Sequence, residues 1–188
     1  MINLKTFKTG IILGRFQHIH VGHEKLINLG LETCDKLLIL VGSSSLENEV
    51  RNPYSGDYRI KLIEKIYSDE INSGRIIVRK INDISNENDL TPEWGKYVIK
   101  TAQDYLGEKL ECIIYGKDKN IFKCFDKEDV KDISEILVDR KVLGISATKM
   151  REYLKKDEID NWKKYSNPKI YEEYNTLRAE VLQKIELH

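Results

Sequence analysis

No apolar run in this chain is long enough to cross a bilayer; the longest, such as LLILV (Leu37 to Val41), are strand-sized. Net charge is also missing. Lys plus Arg number 31 and Asp plus Glu number 31. That balance argues against a nucleic-acid binder and against a protein held to a membrane by charge, while leaving room for a local basic site that handles a small anion. Cysteine is scarce: Cys34, Cys112 and Cys124 are odd in number, widely spaced and without a CxxC. This argues against a disulfide framework and a thiolate zinc site, and it suits a reducing cytoplasm, the expected compartment. The opening MINLKTFKTG lacks the apolar stretch of a signal peptide. The dinucleotide fingerprint GxGxxG and the phosphate loop GxxxxGK[ST] are both absent. There is no internal repeat, low-complexity tract or Pro/Gly/Ser linker. With 188 residues, the chain is expected to form one domain over 1–188, with a C-terminal helical segment over about 157–188.

What is present is an alternation of strand-like and helix-like segments. Strands are predicted at Gly10–Leu13, Lys36–Gly42, Ile76–Ile81, Glu111–Tyr115 and Glu135–Asp139. Between them, His23 to Cys34 carries a helical apolar face, and Asp57 is placed to cap a helix bearing Ile60, Ile63, Ile66 and Tyr67. Thr91-Pro92-Glu93 reads as another helix start, with Val98, Ile99, Ala102, Tyr105 and Leu106 facing inward. Thr148–Leu154 and Ile170–Ile185 are the last predicted helices. In the latter, Tyr171, Tyr174, Leu177, Val181 and Ile185 are expected to cover the sheet, or else to form a contact in a homo-oligomer. Strands of Ile, Leu and Val without polar alternation are covered on both faces. The prediction is therefore an α/β fold: a Rossmann-like, doubly wound parallel sheet of about five strands with helices on both faces, plus C-terminal helices.

Ligands in such folds bind beyond the carboxyl ends of the strands. There stands GRFQHIHVGH (Gly14 to His23), which holds three of the four histidines. A metal site would use His20 and His23, three apart, but zinc wants three or four ligands, and the only other histidine outside this window is His188. Solvated loop histidines are the bland alternative. Phosphate handling explains more: a helix N-terminus offers unpaired N–H groups and partial positive charge, and Gly22 permits close backbone approach. Histidine donates hydrogen bonds and can become cationic, and Arg15 supplies a charged fork. Near the other end, ISATKMR (Ile145 to Arg151) sets Ser146 and Thr148 before a helix and Arg151 in its first turn. This is either a second phosphate cradle or a plain N-cap beside an exposed arginine.

HxGH (His20 to His23) together with ISxTxxR (Ser146, Thr148, Arg151) resembles the nucleotidylyltransferase superfamily. The longer GRFQ–H–GH is similar to the GRFQPFHxGH of nicotinamide mononucleotide (NMN) adenylyltransferases. Further resemblance lies in GSSSLENEVRNPYSGDYR (Gly42 to Arg59), in INDIS with EWGKYV (Ile81 to Ser85, Glu93 to Val98), in IIYGKDKNIFKCF and in NWKKYSNPKIYEEY. The family's Pro-Phe is His18-Ile19 here, which gives a less rigid loop with a possible added cation. Alanine stands at position 147 where serine or glycine is usual, and Asn167-Pro168 replaces Val-Pro.

The resemblance implies transfer of AMP from ATP to NMN, giving NAD⁺ and pyrophosphate. His20, His23, Arg151 and Arg15 would be catalytic. Gly14, Arg15, Phe16, His20, Gly22, His23, Ser146, Thr148 and Arg151 would bind ATP. Ser43, Arg51, Asp83 and Trp94 would bind NMN, with Trp94 stacking on the pyridine ring. His18 and Lys117 would be electrostatic helpers, and Arg59 a helix-surface or loop-anchoring residue. Mg²⁺ would come with the ATP phosphates, with no dedicated protein ligands. The other acceptors weighed are nicotinic acid mononucleotide, FMN, phosphopantetheine and a phospho-alcohol. A non-catalytic nucleotide sensor is the reading from another class.

Overall fold

The computed structural model describes residues 5–45, 50–84, 91–116 and 124–186, the side chains of residues 140, 185 and 186 excepted. Five strands form one sheet: β1 (Phe7–Gly14), β2 (Cys34–Val41), β3 (Ile76–Lys80), β4 (Cys112–Gly116) and β5 (Ser134–Val138). Their order is β3-β2-β1-β4-β5 and every pairing is parallel. The chain thus winds outward from β1 in one direction, returns, and winds outward in the other. The β1/β4 boundary is the switch point, where a crevice opens above the strand ends.

The strands are apolar at consecutive positions because each face meets its own core. On β2, Leu37, Ile39 and Val41 join one cluster and Leu38 and Leu40 the other. Ile12 and Ile114 likewise face the first core, Ile11 and Ile113 the second. Helices α1 (Val21–Thr33) and α2 (Gly56–Ile66) close the first face through Leu26, Ile27, Leu62 and Ile63. Helix α4 (Pro92–Leu106) closes the second through Val98, Ile99, Ala102 and Leu106. At Gly10 of β1 an added Cβ would stand 2.5 Å from Cys34 Sγ, so the central strand must be bare there.

Thr91 caps α4 as expected: its hydroxyl accepts from the Trp94 N–H, and Pro92 opens the helix. The cap of α2 differs from expectation. Ser55 accepts from the Tyr58 N–H at 3.2 Å, while Asp57 lies in the first turn and pairs with Lys80 at 2.8 Å. The extended backbone that a cap requires occurs at Ser55, two residues earlier than predicted.

Four short elements lie outside the predicted helices, α3 (Ser68–Asn72), α5 (Lys127–Val130), α6 (Arg140–Leu143) and α8 (Ile159–Lys164), and a 3-10 turn (Pro168–Glu173) forms the start of the helix predicted from Ile170. Between them lies the expected α7 (Ala147–Lys155), and the final helix is α9 (Tyr174–Glu186). The expectation that the last helix covers the sheet is corrected. Tyr174, Leu177 and Val181 are buried, but α9 packs chiefly on α7 and the 3-10 turn, because helices already cover that face. Its apolar residues join the first core together with Trp162 and Ile170. Among the described residues no helix is long and apolar enough to cross a membrane.

Candidate active site

A cleft of about 380 Å³ lies at the switch point. The loop after β1 supplies Arg15, Phe16 and Gln17, and the first two turns of α1 supply His20, Gly22, His23 and Leu26. Arg51 enters from the segment after β2 and Gly116 from the end of β4. The far wall is Leu143, Ile145, Ser146, Ala147, Thr148 and Arg151. The two motifs, more than a hundred residues apart in sequence, therefore face one space. None of these lining residues is Asp or Glu, and three of them, Arg15, Arg51 and Arg151, carry guanidiniums. Such an arrangement is built to receive an anion.

His20 is the N-cap of α1. Its Nδ1 accepts from the Gly22 N–H at 3.1 Å, so the ring proton is carried on Nε2. The rings of His20 and His23 stack at 3.9 Å, and Phe16 lies 4.7 Å from His23. Gly22 is required by this packing: a Cβ there would stand 3.0 Å from the His20 ring and 3.2 Å from the Leu143 carbonyl.

The expectation that α1 presents free N–H groups is overturned. The Val21 N–H donates to the Tyr165 carbonyl at 3.0 Å, the Gly22 N–H to His20, and the His23 N–H to the His20 carbonyl at 2.8 Å. A residue late in the chain and the histidine's own ring take these donors, so α1 offers its imidazoles and not its backbone.

Helix α7 is the converse. Ser146 caps it by accepting from the Lys149 N–H at 3.2 Å, but no acceptor among the described residues takes the Ala147 and Thr148 N–H groups. Both residues line the cleft. Arg151 opens the second turn, because α7 begins at Ala147, one residue before the predicted Thr148, and it is not an exposed surface arginine. It donates to the Gln17 carbonyl at 2.9 Å and to Thr148 Oγ1 at 3.4 Å. Burial lowers its pKa first, and repulsion from Arg15 and Arg51 adds to that. A guanidinium stays charged nonetheless, so a bound anion would relieve this repulsion.

Gln17, Tyr54 and Asn52 also shape the cleft and carry no predicted role, while Arg59 takes the loop-anchoring one of its two expected roles. Arg59 is fully buried and not on the helix surface. It donates to the carbonyls of Arg15 (2.6 Å), Gly42 (2.8 Å), Ser43 (3.1 Å) and Ser55 (3.2 Å), so anchoring is its role. Gln17 grips the Tyr54 backbone in both directions, each bond 3.1 Å long, and the Tyr54 hydroxyl donates to the Leu177 carbonyl at 3.2 Å. Asn52 accepts from Arg15 at 3.5 Å. A buried Gln between motif residues and an Arg on the apolar side of α2 were the signals available. Only the partners reveal the roles.

His18 is not the added cation that its place in the motif suggested. It is wholly buried and accepts from the Trp162 indole at 3.0 Å. Burial above all, then the charge of Arg151, holds its pKa at about 4, below the usual 6.5. Lys117 lies outside the described residues, as do residues 46–49, 85 and 117–123 of the segments noted for the resemblance.

The residues predicted for the second nucleotide are spread more widely. Ser43 is buried just beyond β2 with φ 47°, a strained region for a non-glycine residue, held by the Arg59 bond to its carbonyl. Arg51 lines the same cleft as the motif residues. Asp83 follows β3, half-buried, with Oδ2 enclosed and unpaired among the described residues. Trp94 is 6% exposed in the second core and does not line the cleft. Gly14, the last residue of β1, is buried behind the Phe16 ring, which itself lines the cleft.

Among the described residues no three His, Cys, Asp or Glu are grouped to hold a metal ion. The cationic, carboxylate-free lining suits a metal carried in by a polyphosphate and not one held by protein oxygens.

The cytidylyltransferase-like family model matches residues 11–172. A nicotinamide-nucleotide adenylyltransferase of Saccharolobus solfataricus is 37% identical over 90 residues, covering 47% of this chain and 50% of that protein. One from Thermococcus sibiricus is 25% identical over 150 residues, covering 79% and 74%. For the leading curated relatives, the matched stretch spans between 32% and 50% of their length. A bifunctional NMN adenylyltransferase/ADP ribose pyrophosphatase from Francisella tularensis, solved with AMP and a manganese ion, superposes with a TM-score of 0.69 at 19% identity. That superposition covers 96% of this chain and 53% of the other, and it speaks to the fold.

Proposed function

The chain belongs to the cytidylyltransferase-like family, and from that premise we propose that it transfers AMP from ATP to NMN in NAD⁺ biosynthesis. The observation that carries this reading is the meeting of Arg15, Arg51 and Arg151 with His20 and His23 in one cleft at the β1/β4 switch. The relatives' names supply the acceptor.

An oxygen of the NMN 5′-phosphate attacks the α-phosphorus of ATP in line. The new P–O bond forms as the bond from the α-phosphorus to the bridging oxygen breaks, and pyrophosphate leaves with that electron pair. No enzyme nucleophile is needed. Catalysis is positioning and charge stabilisation, of which positioning alone can contribute on the order of 7–11 kcal/mol. His20 donates from Nε2 and His23 stands beside it, both steadying charge that builds on the leaving group. Arg151 and the α7 N–H groups of Ala147 and Thr148 hold the ATP phosphates, with Ser146 and Thr148 hydroxyls as further donors. Arg15 lies between the phosphates of the two substrates. Arg51, in the same cleft, serves the phosphates directly. Ser43 and Asp83 are assigned to the pyridine nucleotide on the resemblance alone, and Trp94, packed in the second core, does not line this cleft. Mg²⁺, carried on ATP oxygens, supplies further charge neutralisation when bound. The three free, buried cysteines fit a cytoplasmic place of action.

The test is pyrophosphate release from ATP and Mg²⁺, with NMN, nicotinic acid mononucleotide, FMN and phosphopantetheine offered separately. Release with NMN, accompanied by NAD⁺, is expected. Release with FMN or phosphopantetheine alone would keep the phosphate site and overturn the acceptor. No release with any of them, together with stabilisation by ATP, would favour a nucleotide sensor.

A further inference from the structure

The segment from Trp162 to Asn167 makes three hydrogen bonds to the stretch that carries His20 and His23. The Trp162 indole N–H donates to His18 Nε2 at 3.0 Å. The Tyr165 carbonyl accepts the Val21 N–H at 3.0 Å, and the Asn167 amide donates to Glu24 at 2.7 Å. Both Trp162 and His18 are wholly buried, so water is not available to replace either partner. The other imidazole nitrogen, Nδ1, carries the proton and donates to the Ile19 carbonyl at 2.5 Å. The carbonyl just before His18, that of Gln17, accepts from Arg151 at 2.9 Å. An unbroken path thus runs from α8 through an imidazole to the guanidinium in the cleft.

We propose that His18 is a positioning residue for nucleotidyl transfer: locked to Trp162, it sets the Gln17 carbonyl and the start of α1 so that Arg151, His20 and His23 meet the same phosphates. Its kinetic consequence rests on the adenylyl-transfer reading. The lock needs a neutral imidazole, since a protonated ring has no acceptor for the indole and would face Arg151. The pKa of about 4 keeps it in that form. The groups packed around it agree: the rings of Tyr54 and Trp162 are 6.0 and 5.8 Å away, and Arg151 is the charge felt there. The C-terminal helical segment thereby becomes part of the machinery and not a cover for it.

Three variants separate positioning from bulk stability. His18→Leu fills the space without an acceptor, Trp162→Phe removes the donor, and His18→Gln keeps an acceptor oxygen at similar reach. His18→Leu and Trp162→Phe should lower kcat on the order of ten- to a hundredfold, with the KM for ATP within about threefold of wild type. His18→Gln should recover most of the loss. A wild-type kcat in His18→Leu, or a loss that His18→Gln shares in full, overturns the proposal.

A second readout does not need turnover. The chain has 2 tryptophans, so the Trp162 indole N–H signal in a ¹H–¹⁵N spectrum is the one lost in Trp162→Phe. It should shift when ATP alone is added to wild type and stay put in His18→Leu. Binding of ATP without that shift contradicts the proposal. If wild type turns over none of the acceptors, the adenylyl-transfer reading falls, and this spectrum alone decides the positioning role.

Discussion

Replacing Arg59 by Met should loosen the whole active-site end of the sheet. The side chain is 0% exposed and donates to the carbonyls of Arg15, Gly42, Ser43 and Ser55, which end β1, end β2 and open α2. Each bond from a charged donor is worth roughly 1.5–3 kcal/mol, and each orphaned acceptor costs about the same. These values do not add in full, because carbonyls have a second lone pair and the loops can relax. A net loss of about 4 kcal/mol is expected, comparable to removing one partner from a buried charged pair. For a domain near this size that lowers Tm by on the order of 10 °C. Circular dichroism gives the Tm, and pyrophosphate release well below it gives kcat. Because Arg15 loses the anchor of its own carbonyl, kcat should fall at least about tenfold even where the variant is folded. Arg59→Lys should recover little, since one ammonium cannot replace the fork that reaches four carbonyls. A Tm within about 2 °C of wild type with unchanged kcat would refute the anchoring argument.

Gly22→Ala should fold but lose kcat on the order of a hundredfold, because the new Cβ presses on the His20 ring and the Leu143 carbonyl. Steady-state kinetics beside a Tm check this. Arg151→Lys should keep ATP binding within about tenfold while kcat drops further, since the lysine cannot hold the Gln17 carbonyl and Thr148 together. A kcat loss no larger than the binding loss would contradict it. His18 predicts a pH effect. Its pKa is lower folded, about 4, than unfolded, about 6.5, so the unfolded chain binds the proton first. Its contribution is complete above about pH 6.5, is lost as pH falls towards 4, and amounts to roughly 3 kcal/mol. Denaturant unfolding of His18→Gln should show a flatter decline across that window than wild type does.

Much of the fold was legible because buried parallel strands announce themselves: Leu37 to Val41 has no polar alternation and is buried on both faces. The cap of α4 was legible for a local reason, Thr91-Pro92. Short elements such as α8 were not, since six residues carry too little apolar periodicity to stand out. Within the site, the motif residues could be named from their spacing, because HxGH and ISxTxxR are local patterns. What those residues do locally depends on partners far along the chain. Nothing near Val21 signals that Tyr165 takes its N–H, and nothing near His18 signals Trp162. The same histidine that reads as a loop cation is a neutral acceptor once that indole is placed. Arg59 shows the same limit in milder form: its sequence leaves helix surface and loop anchoring both open, and four converging backbone carbonyls decide for anchoring.

In the proposed reaction the bond from the α-phosphorus to the leaving pyrophosphate breaks while the phosphate of NMN attacks. Turnover with ATP labelled at the α-phosphate, and separately at the γ-phosphate, reads this directly. The α-label should appear in NAD⁺ and the γ-label in pyrophosphate, in equal amounts and only when NMN is present. Alpha-label in the pyrophosphate, or γ-label transferred to the acceptor, would contradict this.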